Sequence, residues 1–173
     1  AGADMLFAVL VALLASNALL LHYHARPHLF TLLFLAIAAW IFTRDRTHHT
    51  RWIWVLPPLT ALWANLHPGF AILFAYLAVL VVGSALEGSR SSAIRYAWLT
   101  AACGLATLAN PFGFGLHLDI LSYLRSSGTT DLIQEFQAPS FRTQPQLYYL
   151  GFLLAGVAVS GSLLRKKRFV EPL

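Results

Sequence analysis

The chain has 173 residues, of which 58% are hydrophobic and only 11% are charged. A soluble globular domain carries about 25% charged residues, so this sequence has too little polar surface to cover itself in water. The formal net charge of +5 would suit a nucleic-acid-binding protein, but the placement of the basic residues indicates a membrane topology signal instead. The single cysteine, Cys103, excludes an intrachain disulfide and a CxxC metal or redox site.

Six apolar segments follow one another, and several approach or exceed the ~18 residues that suggest a membrane span. They predict an all-α fold, a polytopic transmembrane helical bundle in a single domain over residues 1–173. The predicted spans cover about residues 5–21, 28–42, 52–65, 70–86, 93–109 and 147–164.

Prolines mark two of these spans. Pro27 precedes the second span and suits a first helical turn. Pro57 and Pro58 fall inside the third and shortest span, where they remove two backbone donors, so we expect them to kink or break it. A broken helix at membrane depth is stable only where protein or a wet cavity covers it.

The basic residues are distributed unevenly among the segments that connect the predicted spans. Nine of the twelve lie after spans two, four and six: Arg44, Arg46, Arg51, Arg90, Arg95, Arg165, Lys166, Lys167 and Arg168. The positive-inside rule places these loops and both ends of this segment in the cytoplasm. The remaining three, Arg26, Arg125 and Arg142, fall on the outer side.

The external segment 110–146 has two predicted parts. An apolar stripe at helical spacing, carried by Phe112, Leu116, Ile120 and Leu121, predicts a short amphipathic helix in the membrane interface. The second part, which contains Glu135, reads as a loop too long to be only a connector.

Polar residues gather on the same outer face, most densely in the stretch WANLHPGF at 63–70. Asn, Pro and Gly are all turn formers, so a bare turn is one interpretation. The other is an external pocket for an anionic head group or phosphate, which arginine and imidazoles would suit. The predicted pocket residues are Arg26, His28, Asn65, His67 and Glu135. We predict no metal site and no cofactor, because Pro27 interrupts the spacing of His24 and His28.

Four segments carry a resemblance: RPHLFTLLFLAIAAW, LPPLTALWANLHPGF, ATLANPFGFGL and IQEFQAPSF. In this order the chain resembles the C-terminal half of an uncharacterised bacterial family of large membrane proteins. That family is similar to polytopic C-type glycosyltransferases that use polyprenyl-phosphate sugars.

The resemblance implies a lipid-linked sugar bound on the extracytoplasmic face and transferred by inverting displacement. Basic residues would hold the phosphate leaving group, which would place Arg26, His28, Asn65 and His67 near the lipid phosphate. Glu135 would lie on a covering loop. The family's acidic base belongs to an N-terminal half, and Asp4 falls on the cytoplasmic side, so we expect a fragment that is inactive alone.

Three other interpretations remain open. A non-catalytic subunit would pack within a larger membrane complex and turn its outer histidines to protein or lipid, with membrane lipids or the missing half as partners. A haem or pigment scaffold would use His67 as ligand, although a turn beside Pro68 is a poor platform for an axial ligand. A transporter would use the broken third span.

Overall fold

The computed structural model describes residues 5–18, 27–125 and 141–165, and every secondary-structure element among them is helical. The all-α prediction is therefore confirmed for these residues. The α-helices are α1 (Met5–Ala18), α2 (His28–His48), α3 (Leu56–Leu66), α4 (Ala71–Leu86), α5 (Arg90–Ala106), α6 (Gly115–Arg125) and α7 (Gln144–Arg165). Two 3-10 helices, Arg51–Val55 and Pro68–Phe70, lead directly into α3 and α4.

The helices belong to two compact units. In one unit α1 packs against α7, and in the other α2 to α6 pack together. The larger unit contains every candidate site residue that the structure describes.

Helix α2 runs six residues beyond the end of the predicted second span. Its last two turns are polar, which is why the sequence pattern indicated a loop there. Thr43 Oγ1 donates to the Ala39 carbonyl at 2.9 Å, so the hydroxyl is satisfied inside the helix. His49 caps the end of the helix: it adopts a left-handed conformation (φ 47°) and donates its backbone N–H to the Asp45 carbonyl at 2.8 Å.

The double proline does not break a helix, contrary to the sequence-based expectation. Pro57 and Pro58 lie in the first turn of α3, immediately after the 3-10 helix Arg51–Val55. Backbone N–H groups in a first turn have no intrahelical partner, so replacing them by proline loses no hydrogen bond. The interruption of the third span is therefore a change of helix type at its start.

Helices α2 and α4 run in the same direction, because their equivalent ends meet. Near their starts, Thr31 Oγ1 lies 2.9 Å from Nδ1 of His67. At their finish, Arg46 Nη2 donates to Glu87 Oε2 at 2.7 Å.

Helix α5 runs in the opposite direction to α2 and α4. Its first turns meet the end of α2 through Arg95 and Asp45, and the segment after it meets the end of α3 through Ala109 and Asn65. The bundle thus has two polar ends. We call them the arginine end (Asp45, Arg46, Thr50, Glu87, Arg95) and the histidine end (Thr31, Asn65, His67, Ala109, His117).

Aromatic rings fill the core between these ends. Phe34 meets Trp63 edge-on at a centroid distance of 5.5 Å, and Phe42 stacks on Tyr76 at 4.9 Å. The buried aliphatic side chains around them come from α2 to α5: Ala38, Ile41, Ile53, Leu56, Ala64, Leu73, Leu77, Leu80 and Leu99.

Two helical segments among the described residues, His28–His48 and Pro68–Leu86, are long and apolar enough to cross a membrane. The apolar segments Ala8–Asn17 and Gln146–Ala158 are shorter, and α5 has 17 residues.

The short amphipathic helix predicted after residue 110 is present as α6. Leu116 and Ile120 pack against the core, whereas Phe112, which precedes the helix, and Leu121 are exposed. Only part of the apolar stripe therefore packs against the bundle, and the rest is exposed at the surface.

Candidate functional site

The stretch at 63–70 folds as a capped turn between α3 and α4. His67 has an extended backbone (φ −160°, ψ 138°), and Pro68 opens the following 3-10 helix. The ring Nδ1 of His67 accepts the backbone N–H of Gly69 at 3.0 Å. The imidazole thus caps the 3-10 helix in the way that Asn or Ser caps an α-helix.

A short chain of hydrogen bonds ties this turn to α2 and α3. Trp63 Nε1 donates to Thr31 Oγ1 at 3.0 Å, and Thr31 Oγ1 lies 2.9 Å from Nδ1 of His67. Because Gly69 donates to the same Nδ1, that nitrogen must be unprotonated. The Thr31 hydroxyl therefore donates to His67, and the neutral His67 ring carries its hydrogen on Nε2.

Gly69 is required by close approach. A Cβ at this position would lie 2.7 Å from Thr31 Cγ2 and 2.8 Å from His67 Nδ1. Real Cβ atoms essentially never show such distances, so a larger residue must displace Thr31 or His67. The sequence HPG is thus explained by a cap, a fixed φ and a backbone that passes directly under α2.

Asn65 tethers the end of α3 to the segment after α5. Its Nδ2 donates to the carbonyls of Ala61 and Ala109, each at 2.8 Å. Two carbonyl partners identify this atom as the amide nitrogen and engage both of its hydrogens. Asn65 can therefore offer a ligand only its Oδ1, as an acceptor.

His117, in the first turn of α6, is a further polar residue at the histidine end and was not among the predicted pocket residues. Its Nε2 lies 2.9 Å from Thr107 Oγ1, and that hydroxyl donates to the Gly104 carbonyl at 2.7 Å. The ring stacks on Phe114 and meets Phe70 edge-on at 6.0 Å. Its Nδ1 is buried without a described partner. The sequence offered one indication of this residue: His117 lies two residues after the start of the helix that follows NPFG.

His28, Asn65 and His67, three of the five predicted pocket residues, lie at the same end of the larger unit. His28 is in the first turn of α2, three residues before Thr31, so the two side chains share a helix face. Arg26 and Glu135 lie outside the described residues.

The arginine end contains an ion-pair cluster that sequence reasoning missed. Arg95 donates to both carboxylate oxygens of Asp45, from Nη2 at 2.7 Å and Nε at 3.2 Å, and Nη2 also reaches the Thr50 carbonyl at 2.6 Å. Asp45 is fully buried. Arg46 pairs with Glu87 at 2.7 Å. The sequence did contain an indication of these ion pairs, because each of the two basic loops contains a single acidic residue, Asp45 or Glu87.

No group of three or more metal-binding side chains occurs within residues 5–18, 27–125 and 141–165. Over the same residues, the polar groups that the structure brings together make fold-stabilising hydrogen bonds at both ends of the bundle. No protein-family model, curated protein or solved structure matches this chain.

Proposed function

We propose that this chain is an integral protein of the bacterial cytoplasmic membrane, about six spans in all, whose histidine end binds the phosphate of a lipid-linked sugar on the extracytoplasmic face. It would form the lipid-binding half of a glycosyltransferase-like protein. The proposal joins the resemblance in four sequence segments to the geometry around His67.

The surface of α4 supports the membrane placement. Only 33% of the apolar window in Pro68–Leu86 is buried, whereas the core helix of a soluble protein would be mostly covered. Val79 and Val82 are 58% and 57% exposed. A leader sequence does not account for this helix, because it lies in the middle of the sequence. Exposed aliphatic surface of this extent suits lipid chains.

The observation that carries the phosphate site is the fixed ring of His67. Because Nδ1 accepts from Gly69 and Thr31, the ring is fixed in orientation and the hydrogen of the neutral ring lies on Nε2. A donor held in place by the backbone suits a phosphate oxygen, because little freedom is lost on binding. Asn65, limited to its Oδ1 acceptor, suits a sugar hydroxyl.

The proposal assigns no catalytic base to this chain. Inverting transfer needs a carboxylate to take the proton from the acceptor, and the resemblance puts that group in an N-terminal half of a longer protein. Arg26 and Glu135 enter the proposal through the sequence alone, as a phosphate ligand and a residue of the covering loop.

The test compares two probes that differ only in the head group: a short-chain polyprenyl phosphate and the corresponding polyprenol, titrated against the purified full chain in detergent. We expect the phosphate to bind more tightly. The decisive variant is His67→Asn, since an Asn Oδ1 can still accept from Gly69 but the Nε2 donor is lost. His67→Asn should keep the thermal stability of the native chain and lose the preference for phosphate.

The alternative function, a non-catalytic subunit of a larger membrane complex, is favoured by one observation. Both amide hydrogens of Asn65 and the Nδ1 of His67 are engaged inside the fold. If polyprenyl phosphate and polyprenol bind equally well, these residues act only as structural ties and the subunit function replaces the lipid-phosphate site.

A further inference from the structure

The five arginines in the two basic loops of the larger unit are of two kinds. Arg46 and Arg95 point inward and are neutralised by Glu87 and Asp45. The other three, Arg44, Arg51 and Arg90, are exposed. The positive-inside count treats all five alike, whereas the structure leaves three charges for a partner outside the bundle.

We propose that Arg44, Arg51 and Arg90 form a binding surface for anionic phospholipid head groups. The site is at the opposite end of the unit from His67, and it shares only the membrane placement with the function proposed above. Its ligand is a bulk anionic lipid such as phosphatidylglycerol, not a lipid-linked sugar.

Exposed tryptophans near this surface support its placement at a membrane interface. Trp52 and Trp54 lie in the 3-10 helix at the arginine end, and Trp40 lies one turn before Arg44 in α2; all three are exposed, at 63%, 46% and 52%. Trp98, which is 68% exposed, is at the middle of α5. Exposed tryptophan is enriched where the hydrocarbon meets the head groups. The fifth, Trp63, is fully buried.

Arg44 shows how the two residue types combine. Its guanidinium carbon lies 4.8 Å from the centroid of the Trp40 ring. This cation–π contact holds the charge beside an interfacial aromatic ring, from which a guanidinium can pair with a phosphate in two-pronged geometry. Arg51 and Trp52, both exposed, are neighbours in sequence at the start of the 3-10 helix Arg51–Val55, so a charge and an aromatic ring occur at this end a second time.

A lipid fits this surface better than an acidic protein does. The two helical segments of the described residues that are long enough to cross a membrane, His28–His48 and Pro68–Leu86, finish at this end. The arginines therefore stand where helices that cross a bilayer would leave its hydrocarbon. Basic residues at that level attract anionic lipid by up to roughly fivefold each.

The tryptophans also provide the measurement. The full chain is reconstituted in phosphatidylcholine bilayers that contain increasing fractions of acyl-brominated phosphatidylglycerol or, in a parallel series, acyl-brominated phosphatidylcholine. Bromine quenches nearby tryptophan, and because Trp63 is buried, quenching reports the lipids around the other four. Brominated lipid in both leaflets makes the result independent of the orientation of insertion.

We expect phosphatidylglycerol to quench at lower fractions than phosphatidylcholine, with a relative binding constant of several-fold that falls as salt is raised. R51Q and R90Q should each lower this ratio, and the double variant should bring it close to one. Arg44 is left intact, since its removal would change the fluorescence of Trp40. R125Q is the matched control for R90Q, because both are exposed arginines at a helix end of the same unit.

Two results would overturn the proposal. Equal quenching of the native chain by both lipids would leave the three arginines to an acidic protein surface. An equal fall of the ratio in R125Q and R90Q would show a general charge effect in place of a site. Neither result bears on the preference for polyprenyl phosphate at His67, so the two proposals fail independently.

Discussion

Arg95 donates to both oxygens of the fully buried carboxylate of Asp45, with Nη2 2.7 Å from Oδ1 and Nε 3.2 Å from Oδ2. The pair joins the end of α2 to the start of α5 across 50 residues of sequence. A buried carboxylate without its partner is far less stable than the pair or than no charge at all.

Removing Arg95 alone should therefore be costly. We expect Arg95→Gln to lower the free energy of unfolding by about 3 kcal/mol, the lower end of the range for a broken buried pair, because Arg95 is 25% exposed. Sodium dodecyl sulfate titration in mixed micelles measures this quantity. The double variant Asp45→Asn with Arg95→Gln should recover most of the loss. Additive losses in the double variant would show that the two residues do not interact.

Gly69→Ala tests the close approach under α2. The added methyl would meet Thr31, so we expect a loss of about 1 to 3 kcal/mol in the free energy of unfolding, as for other overpacked sites. Gly104→Ala is the matched control: its nearest neighbour would be Phe74 Cε1 at 3.9 Å, and alanine favours a helix. A Gly69→Ala chain as stable as Gly104→Ala would contradict the packing described for this turn.

The two hydrogen bonds of Asn65 predict an order of effects. Asn65→Ala loses both bonds, and Asn65→Asp in addition places a carboxylate against the carbonyls of Ala61 and Ala109. The aspartate variant should therefore lower the apparent melting temperature more than the alanine variant. Asn17→Ala is a suitable comparison, since Asn17 donates only to Leu13 in its own helix. Protection of the 107–114 amides from hydrogen exchange should fall only in the Asn65 variants.

We predict that the arginine end and the histidine end lie on opposite sides of the membrane. In a chain whose buried Cys103 is replaced by alanine, single cysteines at Thr47 and Ser91 should react with an impermeant maleimide from one side only. Cysteines at Leu66 and Phe112 should react from the other side, since all four positions are exposed. Labelling of Thr47→Cys and Phe112→Cys from the same side would exclude the topology that is proposed from the basic loops.

Hydropathy predicted the helices well, because an apolar run of membrane length leaves the backbone few alternatives. The hydropathy pattern ended α2 too early, because the polar residues around Asp45 are typical of a loop. They remain helical in the structure, where Arg95 neutralises Asp45. The partner is 50 residues away, and no local pattern reveals it. Likewise, no local pattern reveals the acceptor of the Asn65 amide, because Ala109 lies after α5, 44 residues further along the chain.

The sequence predicted the position of the turn at 63–70, whereas the hydrogen bonds of its residues are known only from the structure. Asn, Pro and Gly indicated a turn, and His67 suggested a site. That His67 is held by Thr31 and Gly69 depends on the packing of α2 over the turn. The ring's hydrogen is consequently on Nε2, a detail that residue types alone do not determine.

The 3-10 helix before α3 has a consequence for bilayer thickness. A 3-10 helix rises about 2.0 Å per residue, against about 1.5 Å for an α-helix. Its five residues and the eleven of α3 thus reach about 26 Å, close to the ~25 Å of α5. Helix α2 reaches about 31 Å, near the ~30 Å of a typical hydrocarbon core. In the proposed membrane placement, α3 with its 3-10 helix and α5 are thus shorter than α2, and hydrophobic mismatch beside these two shorter segments should favour thinner membranes.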